Sequence, residues 1–187
     1  VQVAVKSKKA IACKVDGFEF KSNLEYQFYM WLKELKALGY ISKIEYEVKS
    51  FAINDRELSV ISKTKKLGND TTLKLIEKRV YTPDFKVTWC KNAYTKGLIK
   101  RLSDVILHDD IIAVDEVSWI EVKPVFDQNN MERIAKTNIA VVYHRYKTYI
   151  QIVKPEILFS KTFYPKVVYE KMKRVRGCLI NDYLNKL

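Results

Sequence analysis

The chain has 187 residues, 48% hydrophobic and 12% aromatic, enough for one sizeable core and a single domain. Its 34 Lys and Arg against 22 Asp and Glu give a formal charge of +12, which favours a polyanionic partner, most simply nucleic acid. Two histidines and three distant cysteines (Cys13, Cys90, Cys178) argue against a structural zinc site, a disulfide framework and histidine-rich nuclease centres.

No stretch approaches the roughly 18 apolar residues of a membrane span. No signal-peptide h-region opens the chain either. A soluble protein of a reducing cytoplasm, with no membrane partner, is expected.

Residues 1–10 form a basic lead-in. Asp16-Gly17 then signals a tight hairpin, because both residues tolerate positive φ. Ser22-Asn23-Leu24-Glu25 opens the clearest predicted helix. Its face carries Leu24, Phe28, Trp31, Leu32, Leu35 and Leu38, and Gly39 stands where a C-terminal cap belongs. Ile44, Tyr46 and Val48 alternate as a half-exposed strand that Phe51 and Ile53 extend. Residues 54–78 read as a hairpin excursion with its turn at Gly68-Asn69-Asp70. Val80–Trp89 is the next strand, interrupted or opened by Pro83.

A long connection, 90–118, follows, with a strand suggested at Ile111–Val114. Ile120–Val122 reads as a central strand and Asn129–Thr137 as a short helix. Ala140–Tyr143 and Tyr149–Val153 read as strands joined by a turn at Arg145–Thr148. Pro155 ends the sheet region, and 168–186 has the pattern of a basic amphipathic helix. The domain is thus a core over 1–155 with an insertion at about 90–118, plus a basic helical extension over 156–187.

Chemistry concentrates at two places, Pro83-Asp84 and Glu121-Val122-Lys123. Alternation along a strand puts Glu121 and Lys123 on one face with Val122 opposite. The flanks of both motifs are apolar (Phe85, Val87, Trp119, Ile120), so charges at these positions need a reason. Should Asp84 come from the neighbouring strand, two carboxylates and an ammonium meet at a sheet end. Mg²⁺ is satisfied by one or two carboxylates with waters and a substrate phosphate. Asp84, Glu121 and the Val122 carbonyl are the candidate ligands, with Lys123 for charge developing on the phosphate. Glu25 could add a third carboxylate. Yet Ser22-x-x-Glu25 is also a capping box, in which Glu25 would accept from the Ser22 N–H, and spacing alone favours the cap.

The order of four segments is more specific than any one of them: Phe20–Glu25, Ile44–Glu47, Tyr81–Phe85 and Ile120–Lys123. It resembles the PD-(D/E)xK nuclease superfamily, and within it the phage endonuclease I type of Holliday-junction resolvase, related small phage endonucleases and the transposon-encoded endonuclease subunit. The resemblance covers roughly residues 15–145. It implies an α/β (α+β mixed), restriction-endonuclease-like fold, a central mixed sheet flanked by helices. It also implies Mg²⁺ or Mn²⁺ as cofactor and hydrolysis of DNA phosphodiesters on branched or structured DNA, in host cytoplasm for a phage-borne enzyme. Glu25, Asp84, Glu121 and Lys123 would be its catalytic residues, with Glu25 at a second metal or a metal-bound water. A homodimer is expected for paired nicks.

The chain departs from that pattern in the interval from Asp84 to Glu121, 121 − 84 = 37 positions, and in its basic tail. Competing readings are a site-specific restriction-type or transposon-type endonuclease, with 54–78 or 90–118 reading bases, and a non-catalytic nucleic-acid-binding module. Lys96, Lys100 and Arg101 in the insertion, and Lys171, Lys173, Arg174 and Arg176 in the tail, are candidate phosphate contacts, with a solvated basic face as the equal alternative. Asp104, Asp109, Asp110, Asp115 and Glu116 read chiefly as solvated loop. Tyr143, His144, Tyr146 and Tyr149 are candidates for base stacking or for strand packing.

Overall fold

The computed structural model describes residues 13–63, 70–104, 110–126, 130–172 and 177–187. Strands β1 (Cys13–Val15) and β2 (Phe18–Phe20) form the expected hairpin, with Asp16 and Gly17 both at positive φ. Helix α1 (Asn23–Ala37) starts where Ser22 Oγ accepts from the Glu25 N–H at 3.1 Å. It ends in a Schellman motif: Gly39, at φ 78°, donates to the Lys36 carbonyl, and Tyr40 donates to that of Leu35.

The chain continues through β3 (Ile41–Tyr46), β4 (Phe51–Asn54), β5 (Leu58–Lys63), β6 (Asp70–Ile76), β7 (Arg79–Tyr81) and β8 (Phe85–Trp89). Then come α2 (Lys91–Thr95), β9 (Lys100–Arg101), β10 (Ile112–Ala113), β11 (Val117–Val122), α3 (Met131–Tyr146) and β12 (Ile150–Val153). The short helices α4 (Pro155–Lys161), α5 (Lys166–Tyr169) and α6 (Ile180–Leu184) complete it.

The central sheet runs β12-β11-β8-β3. β11 and β12 are parallel, and the other two pairings are antiparallel. This is the mixed sheet flanked by helices that was expected. Alternation divides its side chains between two cores. Phe85, Val87, Trp89, Ile120 and Val122 pack with Phe28, Trp31, Leu32 and Leu35 of α1. Phe51, Tyr81, Val142 and Ile150, with Trp119 against them, make the smaller core beneath α3.

Three expectations are corrected. Phe51 and Ile53 do not extend β3. Glu47 turns to φ 46° at its end, and β4 pairs with β7 instead. Residues 140–143 are helical, because Ala135, Ile139 and Val142 follow a helical period and the parallel β11–β12 pair needs a crossover. The left-handed Lys147, at φ 53°, ends that helix. Pro155 does end the sheet region and begins α4, from which Leu158 and Phe159, with Phe163 beyond, are buried in the larger core. Finally, 168–186 is no continuous helix. Phe163 stacks on Trp31 at 5.3 Å, and Cys178, Ile180, Tyr183 and Leu184 are held individually against the core. The turn assigned to Gly68-Asn69 lies outside the described residues, and Asp70 begins β6.

The insertion builds against the start of β11. Trp89 donates its backbone N–H to the Glu116 carbonyl at 2.8 Å. Val114 and Val117 exchange two hydrogen bonds of 2.9 Å around Asp115 and Glu116, both at positive φ. The long Asp84–Glu121 interval is therefore spent at the opposite end of β11 from Glu121. No helix among the described residues is long and apolar enough to cross a membrane.

Candidate active site

The register of β8 against β11 pairs Phe85 with Ile120, and one step further sets Asp84 opposite Glu121. Phe85, Ile120 and Val122 point to α1, so alternation turns Asp84 and Glu121 to the other face, beside Trp119. Pro83 ends the β7 segment, which leaves Asp84 free to bend towards β11. Its Oδ2 accepts the Val122 N–H at 2.7 Å. The N–H and C=O of one strand residue point to the same edge, so the Val122 carbonyl also lies on the Asp84 side. Lys123 Nζ stands 2.5 Å from Glu121 Oε1, the same-face pairing that the spacing predicts.

Both carboxylates are nearly inaccessible, Asp84 at 8% and Glu121 at 6% exposure. Two buried side-chain atoms here lack a hydrogen-bond partner among the described residues: Glu121 Oε2 and the Tyr81 hydroxyl. Burial, then the facing Glu121 charge, push Asp84 up to about 8 against the lowering pull of the Val122 N–H. Burial and Glu121 also push the Tyr81 phenol up. An unpartnered carboxylate oxygen next to a carboxyl that burial, with the facing negative charge, pushes up creates a demand for positive charge. Oxygen donors without sulfur or imidazole suit Mg²⁺ or Mn²⁺, so the residues fit such an ion.

Glu25 is brought to the same end of the sheet but does not join the pair. Its Oε2 accepts from the Tyr46 hydroxyl at 2.6 Å and the Lys21 N–H at 3.0 Å, and its Oε1 accepts from Ser22 Oγ at 2.8 Å. The cap is therefore formed, with the Lys21 N–H in place of the expected Ser22 N–H. Among the described residues no three His, Cys, Asp or Glu side chains gather as a ligand group. Glu25 thus spends its oxygens on Tyr46, Lys21 and Ser22, and its expected place at a second metal or a metal-bound water is left to the test of Glu25→Gln. Its charge still reaches the site, as one of the influences that raise Asp84.

Of the basic residues named from sequence, the described ones (Lys96, Lys100, Arg101 and Lys171) are not hydrogen-bonded or ion-paired to the two carboxylates. Lys96, Lys100 and Arg101 belong to the insertion, where Arg101 lies 5.4 Å over the Tyr94 ring. Lys171 is exposed after α5, and Lys173, Arg174 and Arg176 fall outside the described residues. Asp115 and Glu116 are the turn just described, whereas Asp109 is outside the described residues. Tyr143, His144 and Tyr146 ride on α3 and not on a strand.

Three nearby groups escaped sequence reasoning. Tyr81 could have been found as the aromatic three residues before Asp84 in a turn that must stay buried. Tyr46 sits at the end of an alternating strand, where a hydroxyl reaches Glu25. Lys21 pairs with Glu47, which raises its ammonium, and Glu25 and Asp84 add to the shift. No family model, curated protein or solved structure matches the chain.

Proposed function

We propose that the chain is a divalent-metal-dependent endonuclease of the PD-(D/E)xK type that hydrolyses DNA phosphodiester bonds, with branched or structured DNA as its substrate class. One observation carries the reading. Asp84 and Glu121 are buried opposite each other on adjacent antiparallel strands, Lys123 sits on Glu121, and Glu121 Oε2 has no partner among the described residues. Burial of the pair costs desolvation that the Val122 N–H and the Lys123 ammonium offset only in part, since Asp84 is still pushed up and Glu121 Oε2 stays unpaired, so stability alone does not account for it. The formal charge of +12 supports a polyanionic substrate.

Asp84 and Glu121 would hold Mg²⁺ or Mn²⁺, with the Val122 carbonyl on the same side. When bound, the ion polarises the scissile phosphate and lowers the pKa of a coordinated water. The Val122 N–H fixes the Asp84 carboxylate in orientation, which limits the reorganisation needed on binding. Lys123, the most accessible member of the set, is placed to meet negative charge building on the phosphate oxygens once Glu121 turns to the ion. Glu25 orients the head of α1 and Tyr46, and acts on the pair through its charge.

The test is one assay on a four-way junction, linear duplex and single-stranded RNA, each with Mg²⁺ or EDTA. Metal-dependent cutting of DNA is expected, strongest on the junction. Asp84→Ala and Lys123→Ala should abolish it while DNA binding persists. A folded wild type that binds DNA but cuts nothing with Mg²⁺ or Mn²⁺ would sink the enzyme reading. Equal cutting of junction and duplex would sink the preference for branched DNA.

A further inference from the structure

The central sheet sets another carboxylate in line with Asp84 and Glu121. The register of β3 against β8 pairs Tyr46 with Phe85, and one step further brings Glu47 beside Asp84, with Glu121 on the other side. The Glu47 N–H donates to the Asp84 carbonyl at 2.8 Å, which fixes that placement. Glu47 holds φ at 46°, a left-handed conformation that costs a residue with a long side chain. Each outer carboxylate carries a lysine. Lys123 sits on Glu121, and Lys21 sits on Glu47.

The two lysines differ in what they can reach. The Lys123 side chain is 19% exposed, whereas that of Lys21 is 69% exposed, with its partner Glu47 at 27%. An ion pair so open adds little to stability. The Lys21 backbone is nonetheless tied down, because its N–H donates to Glu25 Oε2 at 3.0 Å. Hydrogen bonding to Glu47 pushes its ammonium up against a loss from burial, and the Glu25 and Asp84 charges add to the rise. The ammonium is therefore mobile at its tip, anchored at its base and within the field of the site.

A phosphate that approaches this end of the sheet meets the negative charge of Glu25, Glu47 and Glu121. Cations on the rim then decide whether it stays. Two inter-strand spacings, about 10 Å, separate Glu47 from Glu121, a span that neighbouring phosphates of one strand can bridge. Given a DNA-cleaving site here, on which this inference rests, we propose that Lys21 is a substrate-binding residue. Its ammonium leaves Glu47 to hold a DNA phosphate that flanks the one at Asp84 and Glu121. Glu47 is the resting partner that the phosphate displaces.

Fluorescence anisotropy on a labelled four-way junction and a linear duplex, in EDTA over a series of salt concentrations, tests this apart from cutting. Lys21→Gln should weaken both complexes alike, by roughly three- to tenfold at about 0.15 M salt, and lower the salt slope of log Kd by about 1. Lys21→Arg, which keeps the charge, should recover most of the affinity and the slope. Glu47→Gln frees the ammonium and should tighten binding about two- to fivefold, a gain that shrinks when Lys21→Gln is added. All these variants should melt within a few degrees of wild type, as the exposure of the pair implies. Under Mg²⁺, Lys21→Gln should raise KM for the junction more than it lowers kcat. An unchanged Kd and salt slope in Lys21→Gln overturns the proposal. So does weaker binding in Glu47→Gln, the result that an ion pair propping only the fold would give. A wild type that binds DNA, responds to Lys21→Gln and cuts nothing would sink the hydrolysis and leave the phosphate contact standing. A wild type that binds no DNA sinks both.

Discussion

The two ends of β11 treat buried polar groups in opposite ways. At its start, Trp89 Nε1 donates to Ser118 Oγ at 2.8 Å, and Ser118 donates to the Ile112 carbonyl at 2.6 Å. The Ile112 N–H is answered by Gln151 Oε1 at 3.0 Å, and Gln151 donates onward to the Asp110 carbonyl. Every one of these groups has a partner. About 10 Å away, three strand residues on from Ser118, Asp84 faces Glu121, and Glu121 Oε2 and the Tyr81 hydroxyl have none. A satisfied buried network is what a fold needs. An unsatisfied acidic one costs stability, and its retention points to a ligand.

The largest effect that separates the ends comes from Asp84→Asn. The amide oxygen can still accept the Val122 N–H, so the fold is kept, but cleavage should fall by about three orders of magnitude. Without divalent ions the variant should be more stable than wild type, by about 2 kcal/mol or roughly 4–8 °C in Tm. Thermal melts with EDTA and with Mg²⁺ check this: wild type gains from the ion and Asp84→Asn does not. Ser118→Ala at the other end should do the reverse. It strands the Trp89 indole N–H and should cost about 1–3 kcal/mol, with metal-dependent activity per folded molecule unchanged. If both variants destabilise the chain alike, the contrast between the ends is wrong.

The same contrast has a pH signature. Asp84 titrates near 8 in the folded chain but near an ordinary carboxylate value when unfolded, so between about 4 and 8 the folded state holds the extra proton. Stability of the metal-free protein therefore falls as pH rises through that window and levels off above it. The slope should vanish in Asp84→Asn, and Mg²⁺ should oppose it most at the alkaline end. Melts at pH 5 and pH 8 in EDTA, wild type against Asp84→Asn, isolate this group from the carboxylates whose values are lowered, such as Glu45 and Glu132.

Glu25→Gln probes the boundary of the site. The amide retains one acceptor for Tyr46 and Lys21 and a donor for Ser22, so the expected loss is about 1 kcal/mol, the scale of a helix cap. Cleavage should stay within roughly tenfold of wild type, the scale of a group acting at one remove from the metal. Loss as deep as that of Asp84→Asn would instead make Glu25 a ligand.

Much of this was legible in the sequence because it is local. Asp16-Gly17, the Ser22 cap, the apolar face of α1 and the Gly39 ending each depend on a few neighbouring residues. The i, i+2 spacing of Glu121 and Lys123 fixed their common face in the same way. What failed depends on partners far along the chain. Ile139-Ala140-Val141-Val142 has strand composition, but the parallel β11–β12 pair imposes a helical crossover. The tail reads as amphipathic, yet Phe163 on Trp31 decides its path. The capping-box spacing could not tell that Tyr46 would claim the second Glu25 oxygen, nor that Tyr81 would stop beside Glu121.

Tyr81→Phe is the finest cut. The residue is 8% exposed, and its hydroxyl stands beside Glu121, which helps to raise it, without a fully formed hydrogen bond among the described residues. Were it only a packing residue, Phe would fill the same volume, relieve an unsatisfied polar atom and leave metal binding alone. Beside a carboxylate proposed to hold an ion, the hydroxyl has a second use, to donate to the Glu121 oxygen that the ion would not take. That role predicts an unchanged or slightly higher Tm in EDTA with a three- to tenfold weaker Mg²⁺ affinity, read by calorimetric titration. Unchanged affinity would leave Tyr81 to the core and confine the unsatisfied acidic site to Asp84 and Glu121.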